Sequence, residues 1–280
     1  MERSGKVLIL TASYGNGHNQ VASVLRHSLR DQGSGSVRIM DLFAEAYPGF
    51  DAFTRILYRN SPLWSAYGLD VYGWAYQMTR NMPLRGVLAQ WFNTLGNGRL
   101  LQAVEEYGPS AIVTTFPFGG IPGLLRRSGI SLPLFTVVTD YRLHNRWLLS
   151  DADRYYVATE DLKRAMAGRG VDASRIAVSG IPVREAFHRI RPGAPDAGEE
   201  YPILVMPGLC AAALPMRKLA ASLLALPDVR LDIICARNEK MLRDLRQAFA
   251  AEPRVRLYGY VDSMHDMMRR AYAVVTKAGG

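Results

Sequence analysis

The segment TASYGNGHNQVA, Thr11–Ala22, places two glycines and a histidine directly after a short apolar run. Glycine lets the backbone turn tightly and approach a ligand, and a helix opening there favours negative charge at its first amides. His18 would stand in that first turn, either as a site residue or as a helix cap; spacing alone leaves both open. The pattern is neither a Walker P-loop, since no Gly-Lys-Ser/Thr follows, nor GxGxxG. A second candidate is TDYRLHNRW, Thr139–Trp147, in which Asp140 closes an apolar run and His144, Arg146 and Trp147 follow. The bland alternative there is surface polarity with one half-buried tryptophan. In TFPFGGIP, Thr115–Pro122, Phe116 and Phe118 lie beside glycines, suited to a lipid tail or to the core. The stretch Phe43–Phe92 interleaves aromatics with Arg55, Arg59, Arg80 and Arg85. Aromatic and basic residues on amphipathic helices suit a lipid headgroup interface, although an aromatic core or base stacking would also use them.

These segments need a frame to hold them. Short apolar runs, Val7–Leu10, Val37–Leu42, Ala111–Thr115, Leu134–Asp140, Arg154–Thr159 and Arg175–Gly180, read as strands. Helical patterns lie between some of them, at Asn19–Arg30 and Asp161–Gly170. Continuous β-branched runs separated by helices predict an α/β fold with a parallel sheet covered on both faces. The rhythm breaks at RPGAPDAGEEYP, a proline- and glycine-rich linker, and then restarts with PILVM, VRLDIICA, VRLYGYV and YAVVTKAGG. This gives an expected first domain at 1–190, a linker at 191–201 and a second domain at 202–280. The last strand candidate runs into Gly279-Gly280, where a phosphate-facing helix would normally open. The second domain is therefore expected to be incomplete. In open sheets of this kind ligands bind outside the carboxyl ends of the strands, which places all three motif loops at a site.

Composition narrows the partners. Of the 280 residues, 49% are hydrophobic and 21% charged, ample for a globular core. The formal charge is +9, which calls for an anionic partner: a membrane surface, a phosphorylated substrate or nucleic acid. No nucleic-acid recognition motif supports the last. No uninterrupted apolar stretch approaches the ~20 residues of a membrane span, so any membrane contact is expected to be peripheral. Cys210 and Cys235 make no disulfide framework or metal motif. Cys235 reads as a buried strand thiol in a reducing cytoplasm.

Taken together and in order, TASYGNGHNQVA, TFPF, VVTDYRLHNRW, RYYVATEDLKRAM, VSGIPVREAF, LYGYVDSM and VVTKAGG resemble the processive diacylglycerol glucosyltransferases and the monogalactosyldiacylglycerol synthases. The resemblance covers nearly the whole chain. It implies two Rossmann-like domains of the GT-B glycosyltransferase type, with the active site in the cleft between them. It also implies an inverting transfer of a hexose, glucose first, from a UDP-sugar to diacylglycerol. No metal and no cofactor are expected, UDP-sugar being a substrate. The expected place is an anionic membrane surface on the cytoplasmic face.

By the same resemblance His18 is the general base. Asn16, Gly17, Phe116, Pro117, Asp140, His144 and Trp147 belong to the acceptor side, in the first domain. Gly15, Gly208, Val261, Thr276, Gly279 and Gly280 belong to the donor side. Two departures stand out: VMPGLCAAALPM, Val205–Met216, replaces a small glycine-rich turn, and TKAGG carries Ala278 where proline is usual. They open an alternative, a truncated and non-catalytic remnant that binds a lipid surface without turnover.

Overall fold

The computed structural model describes residues 5–13, 16–49, 94–189, 200–206 and 213–276. The chain divides into two compact units, residues 1–183 and 184–279.

The first unit is built on six parallel strands: β1 (Lys6–Thr11), β2 (Ser36–Asp41), β3 (Ala111–Thr114), β4 (Leu134–Val137), β5 (Arg154–Val157) and β6 (Ile176–Val178), in the order β2-β1-β3-β4-β5-β6. The β1 run KVLILT shows why the sheet is central. Leu8, Ile9 and Leu10 are all fully enclosed, because both faces of a parallel sheet are covered. Alternate residues go to opposite faces: Leu8 and Leu10 join one core, while Ile9 joins another with Ala22 and Val37.

Helix α1 (Asn16–Asp31) follows β1, and α2 (Leu42–Ala46) follows β2. Asp41 caps α2 by accepting from the Ala44 amide at 3.0 Å. Helix α3 (Asn97–Tyr107) leads into β3, and α4 (Ile121–Arg127) follows it. A 3-10 turn spans Asn145–Ser150, and α5 (Glu160–Ala167) starts at a Thr159 cap. The sequence reading named neither α3 nor α4. It took Ile121-Pro122 as loop, yet proline in a first helical turn loses no hydrogen bond.

The second unit opens with the short α6 (Glu185–His188), whose Phe187 ring meets His265 at 6.1 Å. The unit boundary thus falls before the expected limit at Ile190. Residues 191–199 of the expected linker lie outside the described residues, and its last residue, Tyr201, already pairs with Val229. Four parallel strands follow: β7 (Tyr201–Met206), β8 (Val229–Ile234), β9 (Val255–Tyr258) and β10 (Ala273–Thr276), ordered β10-β7-β8-β9. Helices α7 (Ala213–Leu224), α8 (Glu239–Ala248) and α9 (Met264–Arg270) alternate with them. Ile203, Val205, Leu231 and Ile233 pack with Met216, Met241 and Leu245 into one core. Cys235 is buried there as expected, and burial pushes its thiol up from the ordinary range; Cys210 lies outside the described residues. Both sheets are doubly wound. The strand order reverses between β1 and β3 in the first and between β7 and β10 in the second.

Candidate active site

The carboxyl ends of β1, β3 and β4 converge on His18. The residue stands in the first turn of α1, immediately after the β1 loop. Its Nδ1 lies 2.6 Å from the Thr115 carbonyl oxygen, beyond the end of β3. A carbonyl can only accept, so Nδ1 carries the proton and donates. The Thr139 hydroxyl, past the end of β4, lies 3.0 Å from the same nitrogen. In the neutral ring this tautomer leaves Nε2 with its lone pair, the form needed to take a proton. The cap role left open by the spacing is thus not what this side chain does: it bonds across the sheet, to a carbonyl 97 residues away.

The surroundings favour that neutral form. Burial lowers the His18 pKa from 6.5, against smaller upward pulls from the Thr115 bond and the Asp140 charge. Phe116 meets the ring edge-on at 5.1 Å, and Trp147 is tilted to it at 6.4 Å. Gly17 faces open space: a Cβ there would meet no atom within 4 Å. Among the described residues no packing contact requires glycine beside the base.

Asp140 and Trp147 are paired. The Trp147 indole N–H donates to Asp140 Oδ2 at 2.6 Å, and the tryptophan is fully enclosed. Trp147, expected to line the acceptor side, therefore reaches the site through Asp140 and the His18 ring, not through an exposed face. Phe116 and Pro117, expected on the same side, are buried as well. Phe116 packs with Phe43 and Phe118, at 5.8 and 5.0 Å, and the Arg146 guanidinium lies over its ring at 5.4 Å. Phe43, for which the sequence leaves interface and aromatic core both open, is a core residue: its ring packs on Phe116 and Phe118. Tyr47 is exposed; residues 50–92 of that stretch lie outside the described residues. His144 is buried and caps the 3-10 turn, accepting from the Arg146 amide at 3.2 Å.

Two polar networks that the sequence reading did not find hold this arrangement. One anchors the His18 loop: Thr11 Oγ1 donates to Asn19 Oδ1, Asn19 Nδ2 to Ser13 Oγ, and Ser13 to Asp41 Oδ2, at 2.9, 3.1 and 2.6 Å. The other runs through the core. Ser150 Oγ lies 2.8 Å from the Trp147 carbonyl and 3.4 Å from both the Thr136 and the Tyr155 hydroxyls. Its single proton goes to the carbonyl, the shorter contact. Thr136 and Tyr155 then donate to Ser150, and Thr114 donates to Thr136 at 2.9 Å. Every proton in this chain points toward Trp147. Small hydroxyl residues at strand ends were the available signal, but they are too common to single out.

In the second unit Thr276 ends β10 in register with Met206 of β7, and its hydroxyl donates to the Met206 carbonyl at 3.1 Å. This is the point where the strand order reverses. Val261 follows β9 at the sheet's other edge, ~14 Å away at ordinary strand spacing. Gly15, Gly208, Gly279 and Gly280 lie outside the described residues, as does the Asn16 side chain. Among the described residues no three His, Cys, Asp or Glu side chains gather as metal ligands, and no helix is long and apolar enough to cross a membrane. A groove of about 500 Å³ lies at the opposite, amino end of β4 and β5. Its Asp153 is engaged by the Leu134 amide and its Arg175 by Asp151 and the Ala152 carbonyl.

The chain resembles known proteins over its whole length. It is 32% identical over 287 residues to the processive diacylglycerol beta-glucosyltransferase of Bacillus thuringiensis strain Al Hakam, covering 100% of this chain and 73% of that protein. The corresponding Bacillus cereus strain AH187 protein is 31% identical over 288 residues, with the same coverage. Among solved structures, Acinetobacter baumannii MurG matches with a TM-score of 0.56 and 17% identity over 98% of this chain and 72% of its own. The glycotransferase of kitacinnamycin matches with a TM-score of 0.56 and 17% identity over 99% and 76%. These likenesses carry the fold, two Rossmann-like domains of the GT-B type. The family description "Monogalactosyldiacylglycerol (MGDG) synthase" matches residues 18–183, from the candidate base to the end of the first unit. The chain is a glycolipid glycosyltransferase and belongs to the monogalactosyldiacylglycerol synthase family.

Proposed function

We propose that this glycosyltransferase moves glucose from UDP-glucose to the free hydroxyl of diacylglycerol with inversion, using His18 as the general base. The observation that carries this reading is the fixed tautomer: Thr115 holds the Nδ1 proton and leaves Nε2 basic. Burial keeps the ring neutral at ordinary pH. The acceptor hydroxyl gives its proton to Nε2 as its oxygen bonds to the anomeric carbon. The bond from that carbon to the β-phosphate oxygen breaks, and UDP leaves with the electron pair. A single displacement inverts the anomeric centre, and the Bacillus relatives carry "beta" in their name.

Donor and acceptor follow from those relatives, which are named for diacylglycerol and a glucosyl group. Gly17, with open space beside it, and Asp140 and His144 at the β4 loop are the acceptor-side residues. Phe116, Pro117 and Trp147 form the wall behind them, and Asn16 completes the turn. On the donor side the sheet reversal at Thr276 suits a diphosphate, bound by backbone amides of Gly208, Gly279 and Gly280 and not by a metal; Gly15 is the remaining donor-side residue. Val261, at the far strand, suits the uracil ring. The first unit is then the acceptor domain and the second the donor domain. The net charge of +9 suits peripheral attachment to an anionic membrane on its cytoplasmic face.

The test is turnover of the chain with diacylglycerol in anionic vesicles, with UDP-glucose or UDP-galactose as donor. A β-glucosyl product is expected, and His18→Ala should lower kcat by ~10²–10⁴-fold, the usual range for general-base catalysis. Preference for UDP-galactose overturns the sugar assignment. Wild-type turnover by His18→Ala overturns the base assignment.

A further inference from the structure

The Asp140 carboxylate acts on His18 through its charge, although the ring nitrogen it could bond is taken. Nδ1 already has the Thr115 carbonyl at 2.6 Å and the Thr139 hydroxyl at 3.0 Å. Asp140 Oδ2 is itself held at 2.6 Å by the indole N–H of Trp147. That N–H is a donor with no acceptor lone pair, so Asp140 Oδ2 is the acceptor of this bond. The tryptophan is fully enclosed, and its carbonyl receives the last proton of the Thr114–Thr136–Ser150 chain. An anchor this rigid sets where the charge lies relative to the ring.

We infer that Trp147 is a positioning residue for the transfer: its indole holds the Asp140 carboxylate beside His18 and off Nδ1. Asp140 then serves as a fixed counter-charge to the imidazolium formed in the reaction, not as a hydrogen-bond partner of the ring. The inference rests on the reading of His18 as the base. A carboxylate bonded directly to Nδ1 would make the resting ring more basic and protonate it at higher pH. A carboxylate one step away stabilises the cation when it forms, while the Thr115 carbonyl keeps the tautomer. Among the described residues the other charged groups near the ring have partners or lie in solvent. Arg146, on the 3-10 turn, lies over Phe116; Arg142, on the β4 loop, is exposed; Asp41, at the end of β2, is engaged by Ser13 and the Ala44 amide. The first turns of α1 carry no charged side chain besides His18 itself.

The experiment is an NMR titration of His18 in the full chain without substrate. The variants are Asp140→Asn, Trp147→Phe and the two combined. Asp140→Asn should lower the His18 midpoint by about one pH unit, the effect of removing a nearby opposite charge. Trp147→Phe should lower it by less, since an untethered carboxylate moves into water, and it should add nothing in the Asp140→Asn background. The acidic limb of kcat/KM should move with these midpoints. A midpoint that Trp147→Phe leaves in place, raises, or shifts equally in both backgrounds overturns the inference. If Trp147→Phe does not fold, the Trp147 indole proton resonance decides: it should move upfield in Asp140→Asn, and an unmoved signal overturns the inference. Because the titration needs no turnover, it stands or falls separately from the base assignment.

Discussion

Replacing Ser150 with alanine removes an oxygen on which several protons converge. The side chain is fully enclosed. Its 2.8 Å bond to the Trp147 carbonyl is lost, and that buried carbonyl is left without this donor. Leaving a buried polar group unsatisfied costs ~1–3 kcal/mol. The two 3.4 Å contacts to Thr136 and Tyr155 are long and add little, because each hydroxyl keeps a second partner: Thr114 for Thr136 and the Ala152 amide for Tyr155. The expected loss is therefore about 2 kcal/mol, seen as a lower urea midpoint with an unchanged slope. In a melt, a unit of this size should drop by roughly 4–8 °C. The 3-10 turn loosens with it, so Asp140 loses its fixed place and turnover should fall more than stability explains. A Ser150→Ala protein within about 0.5 kcal/mol of wild type, with wild-type turnover, would falsify the proposed order of protons in this chain.

The remaining predictions concern His18 and the entry to α3. Burial sets the folded His18 pKa below 6.5, so below pH 6.5 the unfolded chain takes up this proton first. The stability tied to the neutral ring should be whole above that pH and shrink as pH falls toward the folded value. Urea midpoints of wild type and His18→Asn should converge over that window, and a constant difference refutes the burial argument. By the same shift, the acid limb of kcat/KM should be centred below pH 6.5; a limb centred above 6.5 refutes it. Gly96 has φ 82°, and a Cβ there would stand 2.8 Å from Leu42 Cγ. Gly96→Ala should cost about 2–5 kcal/mol through backbone strain and overpacking together, and a change under about 0.5 kcal/mol in urea would remove that contact from the account.

The strands were legible because a parallel sheet buries both faces and writes continuous apolar runs. Val7–Leu10 and Ala111–Thr115 fall within a residue of β1 and β3. Helix α3 was harder, since NGRLLQAVEEY opens on a left-handed glycine that reads as a turn. At the site, residue types were legible and partnerships were not. The turn GNGH marks His18, but nothing local names the Thr115 carbonyl as its partner. Trp147 reads as a loop residue because the core cluster and the Asp140 carboxylate that enclose it are brought together only by the fold. Nothing local sorts Phe43 between interface and core, because the rings that cover it belong to Phe116 and Phe118.

The clasp between α2 and α3 bears on how such a chain changes over evolutionary time. Leu42 lies against Gly96, and Glu45 accepts from Arg99 at 2.6 Å and from Arg38 at 3.3 Å. Residues 54 positions apart in the chain are thus pinned at one point. Once two points of a chain are held, lengthening the stretch between them costs only ~0.6 kcal/mol per doubling. Exposed ion pairs add little strength, so the clasp rests on the leucine–glycine contact. It stands one residue from Phe43, which packs on the Phe116 ring facing His18. A change at Leu42 or Gly96 is therefore two rings away from the histidine, through Phe43 and Phe116.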